Sequence, residues 1–513
     1  MMDYNNLPKD KFVFARREGK IADKKLDTKP VGYFRDAWRR FKKNKSSVAA
    51  AIIIIILFLY AMIVPLVSHY KVSDRDGYYK FLRPRSKVFS WLGWDGCMNQ
   101  QESQAGYDYY GAIGFEYGTS AIREVRGSEV DPNTGNTIYQ LYIDSYEVVG
   151  FTYADLVQEE YDALKKYQND TGIQVIYPMP ANYKTDFVAV SNGANLWYEL
   201  ADESETTSGE AKDHDAEGHP IYVANYLKKK NINYGQYDSL RINAAGDGDN
   251  GQYYVYAVKN QTGYHVRVLY KEYYNYLHGY YANHVFGTNQ HGQDIFVCLA
   301  HGARLSILFA IAVSVLNLII GVVYGAVEGY YGGAIDLILE RISEIIGDIP
   351  FIVVASLFQM HLAKKVGPIP SLLFAFVMTG WIGIAYRVRT QFYRFKNQEY
   401  VLAARTLGAS DKRLIFRHIF PNAIGTIITS TVLIIPGCLY SESMLTYLGI
   451  VNLETSGRTS VGTLLSHGQT YMSTNPHILL FPAIFISLLM IAFNLFGNGL
   501  RDAFNPSLRG ADE

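Results

Sequence analysis

Residues 46–67 read SSVAAAIIIIILFLYAMIVPLV, a run with no charge. About 20 such residues, as a helix, cross the hydrocarbon core of a bilayer. At roughly −0.3 to −0.6 kcal/mol for each Leu, Ile, Val or Phe, insertion is favourable. The run is longer than the apolar region of a signal peptide, and no small-residue cleavage site follows it. It predicts a permanent first span over 46–68. Further uncharged runs lie at 305–327, 366–386, 422–441 and 478–500. A sixth candidate, 336–360, carries Asp336, Glu340, Arg341, Glu344 and Asp348 in its first half. Mean hydropathy is −0.03 and 19% of residues are charged, which for the whole chain would suit a soluble protein. The uncharged runs exclude that.

Charge sets the expected orientation. Residues 1–46 carry 14 Lys/Arg against 6 Asp/Glu, and the cluster RRFKKNK abuts the first span. The loop 387–421 carries eight Lys/Arg against two acids. Under the positive-inside rule, six spans then place both termini, the segment 1–45 and this loop in the cytoplasm. The long polar segment 70–285 falls outside. With 48 basic and 48 acidic residues the net charge is zero, which argues against nucleic-acid binding.

Residues 70–290 hold 30 of the 42 tyrosines and predict an inserted α+β domain. TYADLVQEEYDALKKYQND reads as an amphipathic helix opened by Thr152 or Asp155. QYYVYAVK and YHVRVLYKEYY around NQTG read as a hairpin, with further strands near 138–149 and 173–178. The acidic stretch 202–219 reads as a surface loop. GDGDNG at 246–251 lacks most of a calcium loop's ligands and reads as a turn. His214 and His219, with Asp213, Asp215 and Glu217, sit in too polar a loop for a rigid metal site, so no metal is expected. Three cysteines (Cys97, Cys298, Cys438) make no disulfide framework; whether Cys97 and Cys298 pair stays open.

The stretch EYVLAARTLGASDKRLIFRHIFPNAIG, 399–425, reads as a helix, a break and a second helix. Ala403 and Ala404 are small, so their face can lie close to a partner. Gly408 suits the left-handed position that ends a helix. Ser410 can cap the next helix, with Asp411 in its first turn, and Pro421 is expected to stop it at the membrane. Two readings stay open on these grounds: docking on a cytoplasmic partner, or resting on lipid headgroups.

The pattern Ala-Ala, three residues, Gly, then a Pro thirteen residues on resembles the EAA loop of ABC importer permeases. More closely, the chain is similar to the C-type permeases of oligopeptide and dipeptide importers. The similar blocks are FGTNQHGQDIFVCLAHGARLSIL, GYYGGAIDLILERISEIIGDIP, GASDKRLIFRHIFPNA, SESMLTYLGI, VGTLLSHG and FNLFGNGLRDAFNP, in family order. The resemblance as a whole covers roughly 31–68 and 286–508. The resemblance implies the type I permease fold of six transmembrane helices. It also implies a second homologous permease, two ATPase subunits that bind ATP and Mg, and an extracellular substrate-binding protein that delivers peptide. Ala403, Ala404, Gly408, Ser410, Asp411, Arg413 and Pro421 would form the ATPase-coupling element. Three departures stand out: Leu402 in place of the motif's Glu, Phe420 in place of Leu, and Asn498 at a position often acidic.

Gly321, Gly325 and Gly329 form a small-residue face that reads as helix packing. Asp336, Glu340, Glu344 and Asp348 keep i,i+4 spacing. A carboxylate at the bilayer centre costs about 2.5–3.5 kcal/mol, so the stripe faces protein, water or the interface. Packing with Arg341 as ion partner, or a translocation path lined by Glu344 or Asp348, both fit. Tyr330, Tyr331 and Trp381 read as membrane-interface anchors. There is no P-loop, GxSxG elbow or HExxH helix, so no enzyme activity or bound cofactor of its own is expected. The expectation is a multi-pass permease of a bacterial plasma membrane that imports oligopeptides. A permease for nickel or another small solute is the alternative, and a membrane-anchored extracellular receptor the alternative of another class. The inserted domain would serve as a docking platform for the binding protein or as a cap over the pore.

Overall fold

The computed structural model describes residues 33–113, 118–132, 135–177, 179–180, 198–200, 222–224, 254–255, 257–259, 263–454 and 458–504. The readings at 202–219, 246–251 and His214/His219 lie outside them.

An amphipathic helix α1 (Tyr33–Lys43) leads into α2 (Lys45–Val67), with the Asn44 side chain accepting from the Ser47 N–H at 3.3 Å as its N-cap. Phe41 packs edge-on against Phe496, and Ser47 donates to the Leu495 carbonyl. The basic flank of α2 therefore lies at the same end as the C-terminal part of the last helix.

Among its described residues the inserted domain holds two antiparallel sheets of three and four strands, besides two short antiparallel pairings, Met179–Pro180 with Tyr254–Val255 and Tyr198–Leu200 with Tyr222–Ala224. In the first, β1 (Cys97–Ser103) and β2 (Ile122–Val130) flank β3 (Thr137–Asp144), with Cys97 opposite Asp144. Helix α3 (Gln104–Ala112) packs against it. In the second, β7 (Tyr264–Leu269) pairs with β4 (Phe151–Leu156), with the short β5 (Ile176–Tyr177) and with β6 (Val258–Lys259). The pairing of β6 with β7 is the hairpin expected around NQTG.

Two expectations change here. Thr152 and Asp155 lie in β4 rather than opening a helix, and α4 starts later, at Gln158–Thr171. Cross-strand pairing of Phe151 with Leu269 and Ala154 with Val266 outweighs the capping signal. YKEYY belongs to α5 (Tyr270–His278), because Tyr270 and Tyr274, one helical turn apart, both bury against Tyr79.

The domain returns to its starting point. Tyr270 donates to Asp76 at 2.6 Å, Leu82 N–H donates to Thr288, and His284 pairs with Asp294 at 2.8 Å with both buried. Arg85 and Arg123 converge on the buried Asp144 at 2.6 and 2.7 Å. Cys97 and Cys298 are both free thiols. Burial, helped by Asp144 and Asp95, pushes the Cys97 thiol up to about 12, so its thiolate is on the order of a thousandfold scarcer than that of an ordinary thiol.

Helix α6 (Ile295–Tyr331) runs 37 residues, longer at both ends than the apolar run alone suggests. Gly332 and Gly333, both at positive φ, turn the chain into α7 (Gly333–Gly347). The span expected at 336–360 is not one helix. Pro350 cannot continue the hydrogen-bond ladder, so α7 ends at Gly347 and α8 (Phe351–His361) begins afresh. At 1.5 Å per residue α8 is about 16 Å long, too short to cross alone. A single turn, α9 (Ala363–Val366), follows. Next come α10 (Pro368–Gly380) and α11 (Ile382–Lys396), which together form one span. Among the described residues, five helices are long and apolar enough to cross a membrane: Lys45–Val67, Ile295–Tyr331, Pro368–Lys396, Asp411–Tyr447 and His477–Phe504.

Candidate functional site

After α11 the chain forms α12 (Glu399–Thr406) and α13 (Asp411–Arg413), then a π-helical stretch, Leu414–Ile419. From there α14 (Phe420–Val432) and α15 (Ile434–Tyr447) complete one long span. Helices α16 (Val461–Thr470) and α17 (His477–Phe504) close the bundle.

The turn after α12 is built by glycine. Gly408 sits at φ +81°, its N–H donates to the Arg405 carbonyl at 2.9 Å, and the Ala409 N–H donates to the Ala404 carbonyl at 3.0 Å. These are the paired bonds of a Schellman turn. The hairpin is rooted by one face. Val401, Leu414 and Ile419 bury in a cluster with Ala326, Tyr330, Ile384, Val388 and Phe392, and Ala404 packs against it. The opposite face is open. Ala403, Ser410 and Arg413 are exposed, and so are Leu402, Phe416 and above all Leu407, at 88%. Leu402, Leu407 and Phe416 thus leave three large apolar side chains uncovered on this hairpin.

Three details of this hairpin differ from expectation. Ser410 occupies the N-cap position of α13 but its hydroxyl makes no capping bond. Asp411 instead accepts a hydrogen bond from the Tyr330 hydroxyl at 2.5 Å. Tyr330 is thus a buried clamp joining the end of α6 to the hairpin, not an interface anchor, and Arg405 lies 5.8 Å over its ring. Trp381 likewise turns inward, against Tyr324, whereas Tyr331 is exposed. Pro421 does not stop the helix. It stands in the first turn of α14, where a missing N–H is tolerated, and the wider π turns before it absorb the ring. The Asn422 side chain donates to the His418 carbonyl at 2.8 Å.

The glycine face lies against α11. A Cβ on Gly321 would stand 2.7 Å from Ile384 Cβ, one on Gly325 2.2 Å from the Ala385 carbonyl oxygen, and one on Gly329 2.6 Å from Phe392 Cβ. This close approach brings Arg389 of α11 to the acidic stripe of α7. Arg389 contacts Asp336 and Glu340 at 2.6 Å each, and Tyr393 also donates to Asp336. The stripe therefore divides. Glu344 pairs with Arg341 at 2.5 Å on the exposed side, and Asp348 is exposed at the C-cap of α7. Beside them Ile338, Ile342 and Ile345 form an uncovered apolar ridge.

Arg389→Met would leave the buried Asp336 carboxylate and the half-buried Glu340 without their cation. The expected cost is about 3–5 kcal/mol, read as a lower unfolding temperature in detergent. Adding Asp336→Asn and Glu340→Gln to Arg389→Met should recover most of it. Equal losses with and without the acids would show that the three do not act as a unit.

Sequence reasoning missed four residues that the fold brings into use. By sequence Arg389 is one basic residue among eight in a loop, although an acidic ladder beside a membrane calls for a cation. Leu407 carries no signal until its exposure is known. Tyr330, at the end of an apolar run, reads as an interface residue. Glu442 of α15 is fully buried and accepts from Ser306 of α6 at 2.8 Å, so a hydroxyl-bound carboxyl joins these two helices; its signal was an acid directly after an uncharged run. On the face carrying the inserted domain, Arg75, Asn289, Glu454, Arg458 and His467 line a cavity of about 140 Å³. That volume holds a few waters, not a peptide.

Comparison with known proteins places these features. The family described as binding-protein-dependent transport system inner membrane component matches residues 318–510. The N-terminal TM domain of oligopeptide transport permease C matches 32–84. The chain is 43% identical over 227 residues to the oligopeptide transport system permease protein OppC of Bacillus subtilis, covering 44% of this chain and 73% of that protein. It is 40% identical over 229 residues to the dipeptide transport system permease protein DppC of the same organism (44% and 70%). Against OppC of Escherichia coli K12 the identity is 34% over 229 residues (44% and 74%). The sheets of the inserted domain fall between the two matched regions.

Proposed function

The chain belongs to the permease C family of oligopeptide and dipeptide transport systems, and from that premise we propose that it forms one half of the path by which oligopeptides enter a bacterial cell. The observation that carries the coupling reading is the hairpin 399–419, rooted by Val401, Leu414 and Ile419 and presenting Leu402, Leu407 and Phe416 outward. On this reading α1 and the hairpin are cytoplasmic and the inserted domain is extracellular; the basic flank of α2 supports that orientation.

In the mechanism, an ATPase subunit receives the Leu407 tip in a groove. ATP and Mg belong to that subunit, and this chain supplies the lever. When two ATPase subunits close on ATP, they push the hairpin. Because Asp411 is tied to Tyr330 on α6 and the Leu414–Ile419 segment continues into α14, the push moves α6, α11 and α14 together. The Arg389 network carries the movement to α7. The uncovered ridge Ile338, Ile342 and Ile345 takes the second permease, and Glu344 and Asp348 flank the cavity between the two. Peptide delivered by an extracellular binding protein enters that cavity when it opens outward, and hydrolysis resets the pair. Leu402, where the family motif carries Glu, makes the docking contact apolar instead of ionic.

The test is co-purification of ATPase subunits with the full-length protein from membranes. The wild-type chain should retain them and Leu407→Asp should lose them while accumulating normally. Retention by both would remove the hairpin from the interface.

A further inference from the structure

We propose that the inserted domain is anchored to the lipid surface beside the permease by the segment 87–94, KVFSWLGW. This inference does not depend on the peptide reading. The segment is a short 3-10 turn, Ser90–Leu92, closed by Gly93 at φ +81°. It leaves Val88 71%, Phe89 40%, Trp91 78% and Leu92 53% exposed, four large apolar side chains within five consecutive residues.

What covers the patch follows from where it sits. Trp94, three residues from Trp91, packs edge-on against Phe481 in the first turns of α17, at 5.3 Å, and against Phe286 at 5.8 Å. Phe89 in turn packs on Trp94 at 5.2 Å. Phe286 stacks on Phe481 at 4.0 Å and meets Phe296, which meets Tyr60 of α2. An unbroken aromatic column therefore runs from the patch into the core between the spans. On α17 the neighbours of Phe481 that face away from the bundle, Leu480 and Ile484, are each about half exposed, at 52% and 51%. They belong to the apolar surface that lipid covers on a spanning helix. The patch thus continues the lipid-facing surface at the level where α17 leaves the membrane.

Tryptophan at that level settles in the headgroup region, where its amphipathic ring is most stable, and Phe89 and Leu92 supply the apolar side of an interfacial segment. Lys87 is exposed next to the patch and can reach lipid phosphates. A water-exposed Trp, Phe, Leu and Val cluster would be an aggregation liability; a bilayer removes it. The consequence is a domain held at the membrane surface to one side, at the α17 edge, by lipid as well as by its Trp94 contact with Phe481.

The probe is Trp91 fluorescence, taken as the difference between wild type and Trp91→Phe, for full-length protein with its co-purifying subunits in phosphatidylglycerol-containing nanodiscs. Lipids brominated near the headgroup end of the chain should quench most of the Trp91 emission, lipids brominated deep in the chain should quench it less, and aqueous iodide should leave it unchanged. Leu92→Cys carrying a polarity-sensitive dye gives the same answer independently, through a blue-shifted emission in nanodiscs. Quenching by iodide with none by bromolipid overturns the proposal. So does shielding from iodide that appears only when an extracellular binding protein is added, since the patch would then be a protein-docking surface.

Discussion

Gly408→Asp is expected to abolish uptake while the protein still inserts and accumulates. The position has open space around it, so a side chain fits, but φ is +81°. A non-glycine residue there costs roughly 1–2 kcal/mol, least for Asn or Asp. The larger effect is electrostatic. A carboxylate beside the exposed Leu407 would have to be desolvated in an apolar contact, at several kcal/mol, and each 1.4 kcal/mol is about tenfold in docking. ATP hydrolysis by the partner subunits should then continue without responding to substrate. Gly408→Ala, which adds the strain without the charge, should keep most of the transport. Normal uptake by the Asp variant would mean that the turn does not transmit the ATPase movement.

The second large effect is structural. Gly325→Val should prevent stable accumulation in the membrane. Its Cβ would stand 2.2 Å from the Ala385 carbonyl oxygen and 2.9 Å from Ala385 Cα. Both are backbone atoms that no rotamer change can move. Helices α6 and α11 would have to separate, opening the contact that also holds Gly321 and Gly329 and bringing apart Arg389 and the acids of α7. Close small-residue contact is a main source of helix association in lipid, where apolar burial supplies little. Gly383→Ala on α11, where a Cβ meets nothing within 4 Å, is the control and should behave as wild type. Membrane abundance and unfolding temperature read both.

How much of this was legible in sequence depended on the range of the interaction. The spans at 46–67 and 478–500 appear directly, because a run of apolar side chains needs only the bilayer to become a helix. Gly408 was legible for the same reason: a left-handed turn is a local property. The failures are tertiary. Pro350 divides a segment whose overall hydropathy resembles one span. Pro421 passes inside a helix because the turns before it widen into a π segment, which no local rule anticipates. Thr152 and Asp155 have cap chemistry but also a strand partner, Tyr264–Leu269, more than a hundred residues away. Tyr330 reads as an interface residue until α12 folds back over it. Within the acidic stripe, helical spacing put four carboxylates on one side. Only the position of Arg389 on a neighbouring helix shows that the first two are paired inward while Glu344 and Asp348 stay exposed.

The central claim, that this chain is the permease of an ATP-driven peptide importer, is tested most directly by uptake of a labelled pentapeptide into cells with and without its gene. Uptake should fall when the gene is removed and return when the full-length chain is restored, but not when the Gly408→Asp form is supplied. Undiminished uptake in the deleted cells, with partner ATPases still co-purifying with the chain in the parent strain, would contradict the account and transfer the substrate assignment to nickel or another small solute.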